Sequence, residues 1–163
     1  MTDAARDYYL SGLSNQHAVE KQAIETIERE LGRMSDYPAL HSRMQQELQR
    51  SQTQLERLET LLSKHGTGAS TLKETVTAAV GSVSGVVHIA ARDEVIKNVL
   101  AAIGFKAYEI GSYKALIATA KLAGAGEDET VLKQSMAEEQ EMGDWLGENL
   151  PSIIEQHLSK QAA

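Results

Sequence analysis

Leu100-Ala-Ala-Ile-Gly-Phe-Lys-Ala-Tyr-Glu-Ile-Gly-Ser-Tyr-Lys-Ala-Leu116 carries a helical hydrophobic pattern with a charge set into it. Ile96, Val99, Ile103, Ile110, Tyr113 and Ile117 recur at three- and four-residue steps, so they share one face of a 3.6-period helix. Lys106 falls on that face and Glu109 at its edge. A buried charge is costly unless it is paired or bound to a metal. The rest of the chain must therefore supply partners for Lys106 and Glu109.

The 163 residues suit a single domain, 1–163, able to bury a core of its own. Cysteine is absent, which excludes disulfides and thiolate metal sites. Sixteen basic against twenty-three acidic residues give a net charge of −7, which disfavours nucleic acid and anionic membranes as partners. The first residues lack the pattern of a secretory signal, and the most apolar stretch, 76–91, is too short and polar to span a bilayer. A cytoplasmic location is the expectation. Two prolines and abundant Ala, Leu, Glu, Lys and Gln point to an all-α chain.

Outward from the opening stretch, three more long helices are predicted. The first carries Leu10, Leu13, His17, Glu20, Ile24, Ile27 and Leu31 on one face. Pro38 starts the second, which buries Met44, Leu48, Ser51, Leu55, Leu58 and Leu62 and ends at Lys64-His65-Gly66; Glu47, Arg50 and Gln54 share its flank, while Arg57 and Glu59 face water. Residues 66–92 form a crossover, with Thr71-x-x-Glu74 as a capping box and Gly81 and Gly85 in a small-residue helix. Asp93 caps the third helix and Asp128 the fourth, whose stripe is Leu132, Met136, Glu139, Gly143, Leu146 and Leu150; Pro151 begins a short C-terminal helix. Gly104 and Gly111 each cost the third helix about 1 kcal/mol relative to alanine. They share a face with Ala115 and Ala118, which suits close contact with the crossover or a second subunit.

Two antiparallel hairpins joined by a long crossover define a ferritin-like four-helix bundle, a fold that commonly holds metal ions on inward carboxylates and histidines. Glu20, Arg50, Lys106 and Glu139 lie near the middles of their helices, where they can meet at one level. Over these motifs the chain resembles the YciE/YciF family of ferritin-like proteins. The correspondence rests on Val19-Glu20-Lys21-Gln22, on Glu47 followed by Arg50 to Leu58, on Lys106-Ala107-Tyr108-Glu109-Ile110-Gly111-Ser112-Tyr113, and on Glu138-Glu139 followed by Gly143. The resemblance implies a ferritin-like fold, self-association as a homodimer, a link to stress responses and, in some members, a bridged metal pair. Against the family pattern, Arg50 and Lys106 replace glutamates, Glu47 and Ala107 replace histidines, and Gly143 replaces an aspartate.

Two readings of the centre follow. In the first, Glu20, Glu47, Arg50, Lys106, Glu109 and Glu139 form a buried ion network that needs no metal or other cofactor, in a protein without catalytic residues. In the second, Lys106 and Arg50 reach out to the rim, and Glu20, Glu109 and Glu139, with Glu47 or His17, hold iron or manganese for oxidase or iron-handling chemistry. A third use, as a helical adaptor, predicts an exposed apolar patch around 83–89. Tyr108 and Tyr113 are expected to be buried, with their hydroxyls satisfied. No nucleophile triad or phosphate-binding loop accompanies these residues.

Overall fold

The computed structural model describes residues 3–67 and 94–162. The capping box, Gly81, Gly85, His88, Asp93 and the 83–89 patch lie outside the described residues. Four helices make the bundle: α1 (Asp3–Leu31), α2 (Pro38–Lys64), α3 (Glu94–Leu122) and α4 (Glu129–Gln161). Short 3-10 turns at Gly32–Met34 and Gly126–Asp128 precede α2 and α4. Pro38 sits in the first turn of α2, where its missing N–H removes no helical bond. Gly66 and Gly124 adopt φ of 80° and 73° just past α2 and α3, a left-handed stop that glycine reaches without a Cβ clash.

The helix ends fix the topology. Asn98 donates to Glu30 at 2.7 Å, which places the start of α3 beside the end of α1. Tyr37 and His157 meet at 2.8 Å, bringing the end of α4 to the start of α2. At the opposite end Tyr9, Lys64 and Asp128 come together. Helices α1 and α2 are thus antiparallel, as are α3 and α4, and residues 68–93 connect opposite ends of the bundle.

Burial divides into two apolar clusters. One contains Tyr9, Leu13, Leu58, Leu62, Tyr113, Leu116 and Leu132; the other contains Ile27, Met34, Leu40, Met44, Val99, Met142 and Leu146. The predicted stripes supply Leu13, Ile27, Met44, Leu58, Leu62, Val99, Tyr113, Leu132 and Leu146, whereas Tyr9, Met34, Leu40, Leu116 and Met142 come from outside them. Gly12 permits α1 to approach α3, since a Cβ there would stand 2.9 Å from Leu116 Cδ2.

Two expectations are corrected. Pro151 lies inside a continuous α4 and does not start a separate helix. The residue four positions earlier is Gly147, and beyond the proline Ile153 is buried while Gln156 and Lys160 donate to the Asp36 carbonyl at 3.2 and 2.7 Å. Those contacts hold the chain helical past the missing donor. Asp128 occupies the position before α4, but its side chain makes no cap bond. It is 1 % exposed and its carboxylate turns inward.

Candidate functional site

Between the two apolar clusters runs a polar layer to which every helix contributes one turn. Glu20 comes from α1, Glu47 from α2, Lys106 and Glu109 from α3, and Glu139 from α4; all five are buried. Lys106 Nζ stands 2.5 Å from Glu47 Oε1, 2.5 Å from Glu139 Oε2 and 2.8 Å from Glu109 Oε2. An ammonium can donate three hydrogen bonds, and three carboxylates surround this one. Gly143 packs against the stem, and a Cβ there would lie 3.5 Å from Lys106 Cβ, an ordinary van der Waals contact.

The fourth carboxylate has different partners. Tyr113 Oη donates to Glu20 Oε1 at 2.8 Å, and Gln16 Nε2 donates to the same oxygen at 3.1 Å. Neither donor was assigned to the site from sequence. Gln16 lies one helical turn before Glu20, and that spacing was the available signal. Tyr113 is fully buried as expected, whereas Tyr108 is 48 % exposed.

Four carboxylates against one ammonium leave three negative charges in excess when all are ionised. Burial raises the Glu20 pKa to about 7, with Glu139 adding to the rise and Lys106, Tyr113 and Gln16 opposing it. Burial also lifts Glu47 despite Lys106, and holds Glu109 well above the carboxylate range. For Lys106, burial disfavours the charge, but Glu109, Glu139 and Glu47 outweigh it and keep the amine protonated. Oxygens of Glu20, Glu47, Glu109 and Glu139 remain without a hydrogen-bond donor among the described residues. The layer therefore binds protons as well as Lys106.

Arg50 does not join the network. Its guanidinium bonds Glu141 at 3.0 and 3.1 Å, and its side chain is 30 % exposed. Arg43 shares Glu141 at 2.8 Å. At the rim a guanidinium keeps part of its hydration, which the interior would remove. His17 is buried one turn before Glu20, yet its Nε2 lies 3.2 Å from Glu59, a surface residue. Arg57 corrects the expectation that it faces water: its side chain is only 20 % exposed and pairs with Glu138, itself 21 % exposed, at 2.7 and 3.0 Å, with Gln54 adding a bond to Glu138.

Of the candidate ligands, Glu20, Glu109 and Glu139 each bring one oxygen within 4.8 Å of the others. Glu47 meets Lys106 instead. A pair of divalent ions does not fit this donor set, because the Lys106 ammonium lies against three of the carboxylates that would have to neutralise them.

A second buried polar cluster closes the end of the bundle. Asp128 accepts from Tyr9 at 2.8 Å and from Lys64 at 2.5 Å, and lies 2.6 Å from His65 Nε2. Burial works against its charge, but Lys64, His65 and Tyr9 together hold its pKa below the ordinary aspartate value. Sequence placed Asp128 at a helix cap and His65 at a helix end; their meeting depends on contacts between distant segments.

The fold and its centre define a class: an antiparallel four-helix bundle with a layer of buried ionisable groups between two apolar clusters. A family model described as "Domain of unknown function (DUF892)" matches residues 4–159, and the chain belongs to that family. The crystal structure of a protein from Xanthomonas campestris pv. campestris str. ATCC 33913 is similar in fold, with a TM-score of 0.81 and 24% identity over 98% of this chain and 99% of that one. Among the described residues no helix is long and apolar enough to cross a membrane.

Proposed function

We propose that this chain is a ferritin-like protein of the YciE/YciF kind in which a lysine-centred ion network stands in place of a metal pair. It acts in the cytoplasm without redox chemistry, through self-association or partner binding, in the stress-associated setting that the resemblance implies. One observation carries the reading: Lys106 Nζ lies 2.5, 2.5 and 2.8 Å from three buried carboxylates. An ammonium so placed neutralises part of the charge that metal ions would otherwise balance, and burial, which raises the pKa values of Glu20, Glu47 and Glu109, favours protons over the rest of that charge.

A second reading rests on a separate observation, the approach of Glu20, Glu109 and Glu139 oxygens to within 4.8 Å of one another. In it a single iron or manganese ion sits beside Lys106. Elemental analysis of protein purified from medium rich in both metals separates the two. The ion network predicts metal far below one ion per chain and oxygen uptake with added iron(II) at the rate of buffer. Near-stoichiometric metal would overturn it.

A further inference from the structure

Helix α2 turns a polar edge toward α4. Arg43, Arg50 and Arg57 recur at seven-residue steps, about two helical turns apart, so they line one edge of α2. Arg43 and Arg50 both bond Glu141 of α4, and Arg57 bonds Glu138 and, at 3.2 Å, Ser135 Oγ. Behind this rim Glu47, Ser51 and Gln54 follow at four- and three-residue steps, all of them buried. Ser135 and Glu139 on the facing side of α4 are buried too.

The inner row does not satisfy itself. Gln54 Nε2 donates to Glu138 at 3.0 Å, and the carboxylate fixes which atom of the amide is nitrogen; Gln54 Oε1 then has no donor among the described residues. Ser51 Oγ has no partner either. Ser14, Thr53, Thr60 and Thr119 settle their hydroxyls on the carbonyl four residues back, which Ser51 does not do. Because α2 and α4 run antiparallel, the levels follow in order. Gln54 lies beside Glu138 and Ser135, Glu47 and Glu139 meet at Lys106, and Ser51 stands between those two levels. Polar atoms therefore continue without a break from the rim to Lys106. Buried groups of this kind are completed by ordered water, each molecule making about three hydrogen bonds.

On the outer side a cavity of about 300 Å³ is lined by Gln46, Gln49, Arg50, Thr53, Arg57 and Glu138. Glu138 is both a wall of that cavity and the partner of buried Gln54.

We propose that the α2–α4 seam is a hydrated passage from this cavity to the lysine-centred layer, gated by the Arg50–Glu141 and Arg57–Glu138 pairs. The inference rests on the ion network proposed above and adds the route by which water reaches it. The gate is made of parts that move easily. Ion pairs between long, partly exposed side chains hold little net free energy, so they part and re-form where apolar packing would stay shut. Arg50 keeps one buried nitrogen, Nη1, without an acceptor among the described residues, and Glu141 retains Arg43 when Arg50 swings away. Removing either gate arginine widens the way in and leaves the three carboxylates around Lys106 in place.

The test is the rate at which the Lys106 ammonium exchanges its protons with water, followed by NMR on the full chain at one fixed pH and assigned through bonds from the Lys106 backbone. Arg50→Ala and Arg57→Ala are the gate variants. Lys133→Ala, which removes an exposed ion pair with Glu129 outside the seam, is the control. The expected result is slow exchange in the wild type that speeds at least tenfold in each gate variant, without a matching loss of stability in urea, and an unchanged rate in the control. Crystals of the wild type should show ordered water bonded to Ser51 Oγ and Gln54 Oε1. Slow exchange that ignores both gate variants, or a dry seam at Ser51 and Gln54, overturns the passage and leaves the ion network standing. Wild-type exchange as fast at Lys106 as at Lys133 means an ammonium that is not enclosed and overturns both. An acceleration matched by an equal loss of unfolding stability, or repeated in Lys133→Ala, assigns the exchange to opening of the whole bundle and also overturns the inference.

Discussion

Glu20 is the residue whose proton matters most. Its pKa, raised by burial to about 7 from the 4.5 of a free glutamate, means the folded protein binds a proton that the unfolded chain has released across that interval. Stability then falls as pH rises from about 4.5 to about 7, by on the order of 3 kcal/mol for this group alone. Asp128 and Glu138 act in the opposite sense, since their lowered values cost stability only as pH drops through the acid range. The account predicts a melting temperature higher at pH 5 than at pH 8, and a Glu20→Gln variant in which that difference shrinks. A melting temperature that climbs steadily from pH 5 to pH 8 in the wild type would count against a proton-binding centre. Glu20, Lys106 and Glu139 were legible as central because each interrupts an apolar stripe at mid-helix. Arg50 was not separable from Glu47 by the same rule. The two lie one turn apart on α2, and which of them turns inward is decided by Glu141, which comes from α4 and gives Arg50 a half-hydrated partner.

At the scale of elements, helix limits followed local chemistry and most errors came from distant partners. Pro38 and Gly66 mark boundaries where they were expected, because φ and the missing N–H are properties of the residue itself. Pro151 failed as a boundary because the contacts of Ile153, Gln156 and Lys160 with the far end of the bundle outweigh one lost hydrogen bond. Gly12 drew no attention in the sequence, yet it sets the α1–α3 contact against Leu116. Gly12→Ala should gain helix propensity and lose more by crowding a side chain that is only 3 % exposed. Overpacking of this kind costs about 1–3 kcal/mol, and the expected net change is a loss of about 1 kcal/mol in urea unfolding. A variant as stable as the wild type would show that Leu116 moves aside freely.

Among the described residues the bundle stacks an ionic layer between two apolar clusters, with the Asp128 cluster closing one end, and the middle layer fixes how the helices register. An apolar layer tolerates sliding of one helix past another. Five buried ionisable groups from four helices do not, because any shift leaves a charge without its partner. The composition of that layer separates the two proposed functions, since a lysine held among glutamates makes a self-sufficient structure and a lysine drawn aside would open a cation site. Denaturant unfolding of Lys106→Ala and Arg50→Ala, measured side by side at pH 7, tests this most directly. The account predicts a loss of about 3–5 kcal/mol for Lys106→Ala, whose removal leaves buried carboxylates uncompensated, and a loss below about 1 kcal/mol for Arg50→Ala at the exposed rim. Equal effects, or a Lys106→Ala protein as stable as the wild type, would contradict it.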